Sequence, residues 1–104
     1  MKKLLLTISA ASLMSIGFAA QAADMAAGQE KYESVCLACH GANAEGVVGP
    51  KLAGQSQSDL SKKVHAYKNG EQMGPMTSMM APNAQALSEA DIENVTSYIA
   101  ATFK

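Results

Sequence analysis

Apolar residues recur at helical spacing in three segments of the chain. The first segment runs from about Met25 to Ala38, and Asp24 occupies its N-cap position. Tyr32 and Cys36 lie one turn apart on one face, and charged or polar side chains occupy the other face. This pattern predicts an amphipathic helix near the beginning of the folded chain.

The second segment begins after Ser56 and ends before Gly70, a residue that commonly follows the last turn of a helix. Its apolar positions follow one another at i, i+4 and i+7, and they are Leu60, Val64 and Tyr67. Lysines occupy the opposite side. The pattern predicts a second helix with one narrow apolar stripe.

The third segment has the clearest helical pattern. Ser88 stands at the N-cap, and two acidic residues follow in the first turn, where they favour the positive end of the helix dipole. The stripe predicted to be buried consists of Ile92, Val95 and Ile99. No stretch alternates with the period of a β-strand, so we predict an all-α fold with three main helices.

Residues 41–55 and 69–86 connect the three helices, and their glycines and prolines predict loops. The second loop contains four methionines, at positions 73, 76, 79 and 80. After the first 22 residues the chain has only four leucines and no tryptophan. Three helices with such sparse stripes do not close a core of their own, which indicates that a bulky apolar group is added from outside the sequence.

Residues 1–22 have the layout of a secretory signal peptide. Lys2 and Lys3 precede an apolar run that continues to Ala20, and Ala20-Gln21-Ala22 places small residues where a signal peptidase cleaves. A membrane anchor is the competing interpretation of the long apolar run, but serines dilute it and no stop-transfer charges follow. We predict cleavage after Ala22 and a mature domain of residues 23–104 without a membrane anchor.

The charge of the mature chain excludes one class of partner. Two of the eight basic residues lie in the leader, so six lysines face nine carboxylates, and the net charge is about −3. Nucleic-acid binding relies on basic surfaces, so no nucleic-acid partner is expected.

Both cysteines of the chain belong to one pentad, Cys36-Leu37-Ala38-Cys39-His40. C-x-x-C-H is the attachment pattern of c-type haem. Two thiols at this spacing can each add to one vinyl group of the same porphyrin, and the adjacent His40 is then directed towards the iron. Haem would also supply the apolar volume that the helices lack. The pattern therefore predicts one covalently attached haem c with its iron.

Three other uses of the pentad remain to be compared with haem. A thioredoxin-like redox site needs a βαβ context, which the sequence does not indicate. A zinc site needs four protein ligands, and only His65 could complete a set with Cys36, Cys39 and His40. A disulfide between the two cysteines would close a very short loop and stabilise little. His65 itself is predicted to be a solvated side chain that iron binding does not require.

The position of the pentad at the end of the first helix resembles small class I monohaem cytochromes c of the bacterial periplasm. Gly28 and Tyr32 stand eight and four residues before Cys36, as in that family, where the helix crosses the last one at Val95 and Tyr98. The resemblance implies a fold of three main helices and loops wrapped around the haem. The segment beginning Gly49-Pro50 is similar to the one whose proline carbonyl accepts the Nδ1 proton of the proximal histidine.

The same resemblance implies that a methionine is the second axial ligand of the iron. In that family the ligand precedes the cap of the last helix by eight residues, and counting back from Ser88 leads to Met80. Met79 and Met76 are the alternatives. An extended loop would direct the neighbouring side chains of Met79 and Met80 to different sides.

With histidine and methionine as ligands, the resemblance implies a soluble periplasmic one-electron carrier that is not an enzyme. Its electron donor and acceptor would be membrane or periplasmic redox proteins. Two alternatives stay open: a haem subunit of a larger redox complex, and a haem sensor or enzyme whose sixth ligand is labile.

Overall fold

The computed structural model of the protein describes residues 22–104, so the predicted leader lies outside the described residues except for Ala22. Within that range the chain is helical and contains no strand, which confirms the all-α prediction. No described helix combines the length and the apolar character that crossing a lipid bilayer requires.

Four helices form the described part of the molecule, one more than the pattern predicted. They are α1 (25–40), α2 (Gln57–Lys68), α3 (Thr77–Gln85) and α4 (Glu89–Thr102). α1 is continuous but changes its winding, from an α-helix over Met25–Lys31 to a π-helical turn over Tyr32–Cys36 and a final α-turn over Leu37–His40.

The predicted helix starts are confirmed by capping hydrogen bonds. The side chains of Asp24 and Ser56 accept the backbone N–H groups of Ala27 and Asp59. Ser88 and Asp91 form a reciprocal capping box, in which each side chain accepts the other residue's N–H at 3.0 Å. These bonds satisfy N–H groups that the first turn of a helix leaves without a partner.

α1 crosses α4 at the place that Gly28 makes possible. A Cβ atom at position 28 would lie only 2.2 Å from the carbonyl oxygen of Asn94 and 2.8 Å from the Cβ of Tyr98, so any side chain would force the helices apart. One turn later, Tyr32 packs its ring 6.0 Å from that of Tyr98 and 5.1 Å from that of Phe103. The crossing predicted between Gly28 and Tyr32 on α1 and the Val95–Tyr98 turn of α4 is present.

α4 buries the stripe that its sequence predicts. Ile92, Val95 and Ile99 are each at most 3% exposed. Burying such side chains contributes about 1.5–3 kcal/mol each. Leu60 of α2 joins the same core, whereas Val64 and Tyr67 are only half-buried. Part of the apolar stripe of α2, at Val64 and Tyr67, is therefore not covered by the protein's own core.

The expectation of a loop over residues 69–86 is wrong, because α3 lies within it. Gly74 and Pro75 precede the helix, and Pro82 within it removes only one backbone donor. Thr77 closes the turn before the helix, accepting the N–H groups of Met73 and Gly74 and donating to the Gly74 carbonyl. Burial of Thr77 and Ala84 then holds α3 in place, which local propensity does not reveal.

Candidate functional site

His40 is the last residue of α1 and is 6% exposed. The helix ends there because Gly41 adopts a φ of 92°, a conformation that favours glycine. The hydroxyl of the buried Tyr32 donates to the Gly41 carbonyl. The same burial raises the pKa of Tyr32 to about 12, so this hydroxyl keeps its proton at neutral pH. This hydrogen bond ties Gly41, just after α1, to Tyr32 two turns earlier in the same helix.

The loop that follows His40 folds back onto the end of α1. The N–H groups of Val47, Val48 and Gly49 approach the Cys39 carbonyl at 3.2, 3.0 and 2.8 Å. The N–H of Gly46 donates to the His40 carbonyl at 2.7 Å. Carbonyls at the end of a helix lack intrahelical partners, and this loop provides them.

The folded-back loop brings the Pro50 carbonyl to 2.8 Å from Nδ1 of His40. A carbonyl oxygen can only accept, so Nδ1 carries the proton of the neutral imidazole. Nε2 is then the nitrogen with a free lone pair, as metal coordination requires. The contact that the resemblance implied between these two residues is present.

Cys36 and Cys39 are both half-buried and both have free thiols. Burial raises the pKa of Cys36 to about 11; Lys31 opposes the rise and Cys39 adds to it. At neutral pH this thiol is therefore protonated. Both sulfur-bearing side chains line one cavity together with His40.

This cavity has a volume of about 220 Å³, and its wall is predominantly apolar. The uncovered stripe of α2 forms one side through Leu60, Val64 and Tyr67, and α4 contributes Val95 and Ile99. The stripe that the protein's own core leaves half-buried thus faces the cavity. An apolar guest of substantial size would complete the burial of these side chains.

Three of the four methionines line the same cavity. They are Met76, Met79 and Met80, whereas Met73 does not line it. Met80 is half-buried, and Met76 and Met79 are 39% and 54% exposed. The N–H of Met80 donates to the Met76 carbonyl at 3.1 Å at the start of α3. The extended backbone expected at Met79 and Met80 is wrong, since both residues are helical.

His65 lies outside the cavity wall and has protein partners. Its Nδ1 donates to the Ser61 carbonyl at 2.7 Å, and its Nε2 lies 2.6 Å from a carboxylate oxygen of Glu89. The hydrogen bond to Glu89 raises the pKa of His65. The side chain is 37% exposed, in agreement with the expected solvated position, and two hydrogen bonds hold its ring. The histidine that a zinc site would need is bonded elsewhere, between α2 and α4.

Comparison with known proteins shows the family of the chain. The family model described as cytochrome c matches residues 25–103, which is nearly all of the described chain. The chain belongs to the cytochrome c family.

Two similar cytochromes are close to it in length. Cytochrome c-554(547) of Halothiobacillus neapolitanus is 41% identical over 88 residues, covering 76% of this chain and 97% of its own. Cytochrome c-554(548) of Halomonas halodenitrificans is 39% identical over 79 residues, covering 74% and 94%. Cytochrome c4 of Pseudomonas aeruginosa is 39% identical over 103 residues, but these make up 96% of this chain and only 48% of that relative.

As a cytochrome c, the protein is an electron carrier with covalently bound haem c and its iron. The cavity fits that group in three respects: its wall is apolar, it contains both thiols of the chain, and it contains an imidazole with a lone pair on Nε2. Thioethers are also present in its wall.

Two features of this cytochrome c site were not predicted from sequence. One is the helical conformation of the methionine segment, which depends on tertiary burial. The other is the close approach of Gly49 to the His40 ring. A glycine immediately before Pro50 was the available signal, but glycine in a loop rich in breakers does not by itself point to a ring.

Proposed function

We propose that this cytochrome c is a one-electron carrier of the bacterial periplasm, with His40 and Met80 as the axial ligands of its iron. Cys36 and Cys39 form the thioether bonds to the haem. The observation that carries the proposal is a single apolar cavity lined by all four side chains.

The assignment of the thioethers follows from the cysteine count. The chain has two cysteines, both free and both at the cavity wall, and haem c is held by thiols of its protein. On bound haem, each thiol would add its S–H across one vinyl double bond, forming a C–S bond and passing the hydrogen to the other vinyl carbon. No oxidant is consumed in this addition.

His40 is supported as a ligand by the bond on the far side of its ring. The Pro50 carbonyl takes up the Nδ1 proton, selecting the tautomer with a lone pair on Nε2 and increasing the basicity of that nitrogen. Because His40 is almost completely buried, water competes little for the ring.

Met80 is the best supported of the methionines for the sixth position. It lines the cavity and is less exposed than Met76 and Met79. Met73 does not line the cavity and is 41% exposed. The family register, counted back from Ser88, leads independently to the same residue.

These residues suit electron transfer better than ligand chemistry. Bound haem c supplies a reversible one-electron couple at its iron, and His/Met ligation raises the potential of such a couple. Met80 would close the sixth position, and the walls from α2 and α4 would keep water away. A carrier needs little rearrangement between its two oxidation states, and a closed, apolar site provides that.

Two segments beside the cavity, 46–50 and 72–88, expose apolar side chains, and Lys63 of α2 is the charged residue in the cavity wall. Val47, Val48, Met76 and Met79 are 70%, 52%, 39% and 54% exposed, and we call these four residues the collar. No charged residue occurs in 46–50 or 72–88. Small apolar patches of this kind suit brief contacts with membrane or periplasmic redox proteins, which we propose as donor and acceptor.

The proposed location rests on the leader. Protein purified from the periplasmic fraction should begin at Ala23, after removal of residues 1–22. Amino-terminal sequencing or intact mass measurement of that fraction checks the cleavage, and retention of the full-length chain in membranes would contradict it.

One experiment separates the carrier from the two alternatives. The ferric holoprotein should have the weak red absorption band of iron–thioether bonding, and the reduced protein should not bind CO. Ready CO binding would indicate a sensor or enzyme with a labile sixth ligand. Gel filtration of periplasmic extract should recover the haem at the size of a small free protein, whereas elution with a large complex would favour a resident subunit.

A further inference from the structure

Gly49 lies directly against the imidazole of His40. A Cβ atom built at position 49 would stand 2.7 Å from Cε1 of the ring, 3.0 Å from Nδ1 and 3.2 Å from Nε2. A distance of 2.7 Å is well inside normal contact between carbon atoms, which attract best at about 3.5–4.0 Å. With the ring in its present orientation, position 49 has room for a hydrogen atom only.

The loop has little freedom to move away from the ring. The N–H of Gly49 donates to the Cys39 carbonyl at 2.8 Å, and the N–H groups of the two preceding residues point to the same oxygen. The N–H of Gly46 is bonded to the carbonyl of His40 itself. The backbone at position 49 is therefore tied to the same helix end that carries the imidazole.

The ring is held from its other side as well. Nδ1 of His40 donates to the Pro50 carbonyl at 2.8 Å, and the residue is 6% exposed. Turning the ring to accommodate a methyl group at position 49 would lengthen or misalign this bond. A methyl group at position 49 would therefore push on the imidazole and disturb its hydrogen bond to Pro50.

We propose that Gly49 is a positioning residue for His40: the missing side chain sets the rotation of the imidazole and protects its Nδ1–Pro50 hydrogen bond. This rests on the proposed function of His40 as the iron ligand. Through the orientation and basicity of that ring, position 49 acts on the iron without touching it.

The test is Gly49→Ala in the haem-loaded protein, with two readouts beside electron transfer. The order of the haem-methyl resonances in the ferric proton NMR spectrum depends on the orientation of the axial imidazole plane, and this order should change. The Nδ1 proton of His40 should exchange with solvent about fivefold faster, as expected when a hydrogen bond of ordinary strength is lost.

Two controls disturb the same loop without reaching the ring. Gly54→Ala places a side chain where φ is 84° and where nothing lies within 4 Å, so it strains the loop backbone without pressing on Gly49 or Pro50. Val47→Ala keeps the N–H bond to Cys39 and trims a side chain that is 70% exposed and does not line the cavity. Both variants should keep the wild-type methyl order and the wild-type Nδ1 exchange rate.

Each outcome decides for or against the proposal. Unchanged NMR readouts in Gly49→Ala, or the same changes in Gly54→Ala, would overturn it. If Gly49→Ala accumulates no holoprotein while Gly54→Ala, which strains the loop at a positive φ, does, position 49 is needed for its contact with the ring, as proposed; failure of both would refute that. The wild-type spectrum is recorded first, since absence of an axial imidazole there would disprove the proposed function instead.

Discussion

The two sides of the cavity are held by different means. On the histidine side, residues 41–55 have no regular structure, yet their backbone N–H groups bond closely to Cys39, His40 and Ala44. On the methionine side, residues 69–87 contain the helix α3, whose place depends on burial of Thr77, Ala84 and Leu87. The irregular side is held by backbone bonds to the end of α1, whereas the place of the helical side depends on buried side chains.

The two proposed ligands therefore depend on the rest of the fold to different degrees. His40 is oriented by groups within ten residues of it, so its geometry is set locally and needs little from the rest of the fold. Met80 lines the cavity because α3, which carries it, packs against α2. We therefore expect changes on the methionine side to alter ligation, and changes on the histidine side to alter stability or ring orientation.

The largest effect is expected from removing both proposed thioether bonds, because the histidine side and the methionine side of the cavity then both lose the haem. The double change Cys36→Ala, Cys39→Ala should leave an unfolded chain once haem is extracted, and each single change should lower the yield of holoprotein. Haem would cover the apolar wall of the cavity, and a small domain whose apolar side chains lose that cover has little stability to spare. Circular dichroism of the extracted double variant is the measurement, and a retained helical spectrum would disprove the need for haem.

The next effect concerns the methionine side alone. Of four single variants, Met73→Leu, Met76→Leu, Met79→Leu and Met80→Leu, only Met80→Leu should lose the weak red band of the ferric protein and bind CO when reduced. The substitution keeps the apolar volume but removes the sulfur, so it tests ligation with little change in packing. Met73→Leu is the matched control outside the cavity. Loss of the band in Met79→Leu or Met76→Leu, with Met80→Leu intact, would reassign the ligand.

The same contrast explains what could be predicted from the sequence. The pentad and the Pro50 carbonyl are near neighbours in the chain, so spacing and family resemblance were sufficient for the histidine side. α3 was missed because Gly74, Pro75 and Pro82 indicate breaks locally, and only long-range burial outweighs them.

His65 and Gly49 show the same limit. His65 is exposed to solvent as expected, but its pairing with Glu89, 24 residues away, was not predicted, because a periodic pattern does not reveal such a contact. The contact between Gly49 and His40 depends on how the loop folds back, which composition does not specify.

A smaller effect is expected on the histidine side from Tyr32→Phe. It removes the hydroxyl that donates to the buried Gly41 carbonyl, and an unsatisfied buried group costs about 1–3 kcal/mol. The melting temperature should fall by roughly 4–8 °C for each kcal/mol, while the red band persists. Tyr98→Phe is the matched control, since its hydroxyl bonds no described residue. An equal loss of stability in both variants would argue against a special role for the Gly41 bond.

The collar has residues from both the histidine side and the methionine side. Because none of them is charged, we expect the rate of electron transfer to depend only weakly on salt concentration. The rate of electron transfer to an acidic redox partner should change by less than about tenfold between low and physiological ionic strength, because the four collar residues carry no charge that could pair with it. Val48→Asp and Met79→Asp should each slow the reaction, whereas Met25→Asp, at a methionine that is 40% exposed and outside the collar, should not. A steep fall with added salt would contradict apolar docking.

The smallest effect is expected from the ion pair at the base of the methionine side. His65 and Lys68 on α2 both approach Glu89 on α4, at 2.6 and 3.7 Å, and Lys68 also donates to the Leu87 carbonyl next to the methionine segment. The hydrogen bond to Glu89 raises the pKa of His65 above its ordinary 6.5, and the bond to His65 lowers the pKa of Glu89 below its ordinary 4.5.

These directions determine the pH window of the pair. The contribution of His65 is complete below pH 6.5 and is lost as the pH rises through its raised pKa, and that of Glu89 is complete above pH 4.5 and is lost in stronger acid. His65→Ala should therefore lower the melting temperature slightly between pH 4.5 and 6.5 and not at pH 9, with the red band unchanged throughout. Glu89→Gln should also lower it between pH 4.5 and 6.5, and part of that loss should persist at pH 9 because the contact with Lys68 is removed as well. For His65→Ala, a stability difference that persists at pH 9 would mean that packing, not charge, explains the effect, and a high-spin spectrum would mean that His65 reaches the iron after all.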